Sequence, residues 1–98
     1  MKIGNNTDQR WIITARVPGK EKGSDIEIPI DLHRVPARKA WEAASPAERA
    51  DMGEEPVIER DLTAIAKDHG VSEDALRAAL QRHAVVRAAL ADGRLRLV

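Results

Sequence analysis

The run from Leu62 to Gln81 constrains the fold more than any other stretch of the chain. Apolar residues fall at helical spacing on either side of one glycine: Leu62, Ile65 and Ala66 before Gly70, then Val71, Leu76 and Leu80 after it. Residues three and four apart share one face of a helix, so each half presents a narrow apolar stripe. Gly70 marks a tight turn between them, and the small side chain of Ala66 lets two helices cross closely. Asp61 is placed to cap the first helix, which buries Leu62, Ile65 and Ala66 and exposes Lys67 and Asp68. Ser72 is placed to cap the second, with Glu73 and Asp74 set favourably against its N-terminal dipole.

Upstream, the periodicity is different. Trp11, Ile13, Ala15 and Val17 would share one face of a strand in a segment rich in β-branched and aromatic types, and Ile26, Ile28, Ile30 and Leu32 alternate more cleanly with Asp25, Glu27, Pro29 and Asp31. A period of two predicts half-buried strands. The intervening Pro18-Gly19-Lys20-Glu21-Lys22-Gly23-Ser24 is loop chemistry, so residues 1–34 are expected to form a β-hairpin with a charged tip. Pro29 cannot donate to a ladder, which places its strand at an edge or its ring facing outward.

Residues 36–92 read as helical. Pro36 suits the first turn of a helix over 37–44, and Ser45-Pro46-Ala47-Glu48 is a capping box with proline at the first helical position. Gly53-Glu54-Glu55-Pro56 ends that second helix in an acidic linker. Leu76, Leu80, His83, Val86 and Leu90 share one side, so the later helix either runs on to Asp92-Gly93 or breaks near His83. Gly93 is a natural stop. Residues 94–98 alternate again, as a short last strand expected to pair with the hairpin into a three-stranded sheet. The expected architecture is a single α+β domain.

Trp11 and Trp41 are the only aromatic residues, so the core must be built from Ile, Leu, Val and Ala. Trp41, with Ala40, Ala44 and Trp11, is expected to help fill it. Such contacts bury little area each, and a homodimer is one way to supplement them. There is no cysteine, which excludes disulfides and thiolate metal sites. No apolar run approaches the roughly 20 residues of a membrane span, and the N-terminal residues hold no signal-peptide core. A cytoplasmic location and no membrane partner are therefore expected.

Net charge is zero, which counts against a simple nucleic-acid binder. The charge is uneven, however: residues 1–40 carry +3, residues 41–61 carry −5 and residues 62–98 carry +2. Acidity is concentrated in the middle, and the half that contains the two-helix run is mildly basic.

The run from 62 to 81, and above all Ala66-Lys67-Asp68-His69-Gly70-Val71, resembles the helix-turn-helix of small phage and bacterial repressors of the Cro-like type. In that family the second helix enters the major groove of DNA, and its early exposed residues read base edges. The resemblance covers about a fifth of the chain. It implies Ser72, Glu73, Asp74, Arg77, Ala78 and Gln81 as reading residues, with Lys67, Arg82 and Arg87 on phosphate. Arg77 and Gln81 are of the types that pair with guanine and adenine. Glu73 and Asp74 depart from a comfortable DNA binder, because adjacent carboxylates repel the duplex.

The expected function is that of a small bacterial or phage transcriptional regulator binding double-stranded DNA as a homodimer. The competing expectation is a non-enzymatic protein-interaction module: a phage-encoded inhibitor, an adaptor or a small subunit of a larger assembly. It would dock through the acidic middle or the hairpin edge. His33, His69 and His83 match no metal-ligand spacing, and His69 beside Gly70 suits a helix C-terminus. The Lys20–Lys22 tip reads as a solvated loop or, more sharply, as a basic finger for phosphate. No nucleophile–base–acid set, P-loop or dinucleotide fingerprint is present, so no catalysis and no cofactor are expected.

Overall fold

Ten elements follow one another in the computed structural model, which describes residues 1–19 and 23–98. They are β1 (Lys2–Asn5), β2 (Trp11–Pro18), β3 (Asp25–Leu32), α1 (Val35–Ala43), α2 (Pro46–Met52), β4 (Glu59–Asp61), α3 (Leu62–Asp68), α4 (Glu73–Arg82), α5 (Ala84–Asp92) and β5 (Leu95–Leu97). The class is α+β. The Lys20–Lys22 tip, with both readings of it, lies outside the described residues.

β2 and β3 form the antiparallel hairpin that their alternation predicts, in a register that sets Ile13 opposite Ile30 and Ala15 opposite Ile28. One face is apolar and buried: Ile13, Ala15, Val17, Ile28, Ile30 and Leu32. Pro29 faces Thr14 in a sheet of only two strands, where its missing donor is tolerated. Helix α4 lies against this hairpin, and its Leu76, Ala79 and Leu80 join Leu62, Ala66, Val86 and Ala89 in one aliphatic core.

The last strand does not extend the hairpin. β5 pairs with β1, which also pairs with β4, giving a separate sheet of order β4-β1-β5. The N-terminal 34 residues are therefore a strand and a hairpin, not a hairpin alone, and the helical part is interrupted at β4. The physical reason is Asn5, the one fully buried polar residue among those described. Its amide nitrogen donates to the carbonyls of Gln9 (2.7 Å) and His33 (2.8 Å), and its oxygen accepts from the Thr7 amide (2.9 Å) and hydroxyl (2.7 Å). This turn carries the chain out of β1 and into β2, so the two strands join different sheets. Ile3, also fully buried, holds the centre of the second sheet between Arg60 and Leu97.

Trp41 is not part of the core. Neither α1 nor α2 has a buried residue, and both make only marginal contact with the remaining elements. Polar cross-links hold the pair together instead. Arg49 donates to the Trp41 carbonyl (2.8 Å) and stacks over the Trp41 ring, 5.6 Å from its centroid. Arg38 bridges Glu42 and Glu55. The predicted capping box at Ser45 and Glu48 is formed. Trp11, by contrast, packs on the core and donates to the Thr7 hydroxyl.

The α1–α2 arm leaves and rejoins the body at one place. The His33 amide donates to the Val57 carbonyl (2.8 Å), and the Val57 amide donates back to His33 Nδ1 (3.1 Å). The principal extents are 50 × 28 × 19 Å and the radius of gyration is 15.0 Å, against about 13 Å for a compact chain of this length.

Candidate nucleic-acid interface

The two-helix run folds as its pattern predicts. Asp61 Oδ1 accepts from the Thr63 amide (3.0 Å) and caps α3. At the other end the Val71 amide donates to the Ala66 carbonyl (3.0 Å) and the Gly70 amide to the Lys67 carbonyl (3.2 Å). This crossed pair is a Schellman turn, and it requires the left-handed backbone that Gly70 adopts at φ 68°. His69 Nδ1 lies 2.9 Å from the Ile65 carbonyl. A carbonyl only accepts, so the ring donates there, adding a second hydrogen bond to a carbonyl that already accepts from the His69 amide (3.2 Å). Ser72 Oγ then accepts from the Ala75 amide (3.1 Å) and starts α4.

The turn sets which side of α4 is covered. Leu76 and Leu80 are fully buried and Ala79 nearly so, while Ser72, Asp74, Gln81 and Arg82 are exposed and Glu73, Arg77 and Ala78 half-buried. Of the sequence-predicted residues, Ser72, Asp74, Gln81 and Arg82 thus lie clear of the core, Glu73, Arg77 and Ala78 are partly covered, and Lys67 is exposed on α3. Gln81 also borders an open pocket of about 440 Å³, lined further by Leu90, Leu95, Arg96 and Leu97. α4 ends at His83, whose ring accepts from the Val86 amide (3.5 Å) and starts α5 as a separate helix. The break at His83 replaces one long helix with two.

The two adjacent carboxylates have different surroundings. Glu73 turns back toward α3: it accepts from the Thr63 hydroxyl (2.9 Å) and pairs with the Met1 ammonium (3.2 Å). The Thr63 hydrogen bond first, then the ammonium, hold its carboxyl below the usual glutamate range, and the Asp61 charge opposes them. Asp74 stays on the outer side and accepts from Arg77 Nη2 at 3.1 Å. Neither carboxylate is left without a partner. Nothing local in the sequence signals the Thr63–Glu73 contact, because the two residues belong to different helices.

Lys67, Arg82 and Arg87 form no ion pair among the described residues. Lys67 lies in the last turn of α3, Arg82 ends α4 and Arg87 lies in α5, and all three are exposed. His33, His69 and His83 serve the backbone at three separate places. No group of three or more His, Asp or Glu side chains converges among the described residues, and no helix there is long and apolar enough to cross a membrane. Comparison with protein-family models, with characterised proteins and with solved structures found no match to this chain.

Proposed function

We propose that this chain is a DNA-binding transcriptional regulator of the small bacterial or phage type, which docks α4 in the major groove as a homodimer. The observation that carries the reading is the use of the two sides of α4. Its apolar side is committed to the hairpin through Leu76, Ala79 and Leu80, while Ser72, Arg77, Ala78, Gln81 and Arg82 remain on the other side. Had Arg77 and Gln81 packed on the protein's own sheet, no reading surface would remain. Glu73 leaves the reading set, since its carboxylate is engaged by Thr63 and Met1. That engagement also lessens the repulsion of a duplex.

In this reading Arg77 and Gln81 meet base edges, and Lys67, Arg82 and Arg87 meet phosphate. Few cations are available per chain, and duplex affinity comes largely from neutralised phosphates. A dimer presenting two α4 helices about 34 Å apart, one turn of DNA, doubles that number. Six phosphate contacts give a salt slope of about −5. Fluorescence anisotropy with mixed genomic duplexes at about 50 mM salt tests the reading, because phosphate contacts are strong there. Salt-dependent binding is expected, and Lys67→Ala lowers the slope by about 1 for each chain of the dimer. Absence of binding to any duplex defeats the proposal.

A second reading, a protein-interaction module, is favoured by one observation. The α1–α2 arm and the acidic linker that follows it bury no side chain, and the chain from 41 to 61 carries −5. A partner with a basic surface would complement it.

A further inference from the structure

On charge alone Asp74 is a liability for a duplex binder, since it adds an anion to the side of α4 that would face the groove. Its placement is more specific than that. The Asp74 side chain is 86% exposed, and its one partner among the described residues is Arg77, one helical turn on. Only Nη2 of the guanidinium is engaged, at 3.1 Å. Arginine has five N–H donors in a planar fork, so this contact leaves the rest free.

From this geometry we infer that Asp74 is a positioning residue, which holds Arg77 to read a guanine in the major groove. The inference rests on the duplex-binding reading above. A long, unrestrained arginine on the rim of α4 is drawn to whichever phosphate is nearest, since phosphate attracts any cation without regard to sequence. Paired with a carboxylate, Arg77 has little net charge to offer a phosphate. What it still offers is direction: two parallel N–H groups that match guanine O6 and N7. The pair therefore sacrifices general attraction and gains discrimination at one base pair. Asp74 also sits in the first turn, where the helix dipole favours an anion, so it holds its place without a further partner. Glu73 cannot do the same work, because it is turned back toward Thr63 and the Met1 ammonium.

The test uses the full chain and duplexes with a randomised central segment, selected against wild type, Asp74→Ala, Asp74→Asn and Arg77→Ala. Affinities for the selected and a scrambled duplex are then measured at about 50 and about 200 mM salt. Circular dichroism confirms that each variant is folded. Wild type is expected to prefer a G·C pair at one position by about tenfold or more. Asp74→Ala should bind the scrambled duplex at least as tightly as wild type, yet lose that preference and approach Arg77→Ala. Asp74→Asn, which retains an acceptor oxygen, should keep most of it. If Asp74→Ala tightens both duplexes equally and the G·C preference survives, Asp74 is only a surface charge and the inference fails while the duplex reading stands. Wild-type binding with no G·C preference also overturns it. Wild type binding no duplex at all defeats both.

Discussion

Asn5 shows how one residue can decide where a chain goes. It is fully buried, and its side-chain amide is satisfied by four hydrogen bonds. Asn5→Ala removes those bonds: the half-buried His33 carbonyl and Thr7 amide lose this partner, while the exposed Gln9 can turn to water. Buried polar groups left unsatisfied cost about 1–3 kcal/mol each, and partial relaxation keeps the total near 2–4 kcal/mol. The urea midpoint should fall accordingly. Asn5→Asp should be worse at neutral pH, because a carboxylate accepts the two Thr7 bonds but donates nothing to the two carbonyls. A variant at Asn5 that leaves the midpoint unchanged would contradict this role. Nothing in the sequence marks Asn5 apart from Asn6 beside it, which stays at the surface; the difference lies in contacts made with residues far along the chain.

Elements were legible in proportion to how much of their stability is local. The hairpin strands carry eight residues each and a clean alternation, and α2 carries its own capping box. The α3–α4 turn is encoded by Ala66, Gly70, Val71 and Ser72 within a few positions. β1 and β4 have four and three residues, too few for a period, and exist because they pair with each other. Trp41 misled for a related reason: a large apolar residue usually marks a core, but here Arg49 covers the ring from within the same arm. The arm itself gives a direct test of modularity. Its ends are bonded to each other through His33 and Val57, so replacing residues 35–55 with a short Gly-Ser turn should leave the body folded. The expected change in stability is less than about 1 kcal/mol, as loop length enters only weakly. Trp11 is then the sole tryptophan, and its emission during urea unfolding measures the change. The same variant separates the two functional readings: duplex binding survives the deletion, whereas a partner held by the acidic arm is lost.

For the molecule as a whole, charge is distributed in small exposed pairs. Arg10 holds the Asp31 carboxyl below the usual aspartate range, Arg96 does so for Glu59, and Ser45 and Thr63 do so for Glu48 and Glu73. Each carboxyl is more acidic folded than unfolded, so the unfolded chain binds more protons in acid. Stability from these groups is fully present above about pH 5 and is lost as pH falls through the folded values, below the unfolded range of about 4. All are solvent-facing, so each contributes little and the slope is shallow. Thermal unfolding from about pH 7 to about pH 3 should show a plateau and then a gradual decline, and Asp31→Asn should flatten the acid limb. A midpoint that rises on acidification would contradict the assignment.

The strand order β4-β1-β5 has a consequence in time. Ile3 of β1 pairs with Leu97 of β5, far along the sequence and on the other side of every other element. A nascent chain on the ribosome can close the β2–β3 hairpin early, because its strands are neighbours, but the other sheet is complete only once β5 has cleared the exit tunnel. Long-range pairing of this kind is slow to form. One edge of β1 can already be held by β4 while the other stays unpaired, so the vulnerable interval is the one before β5 docks.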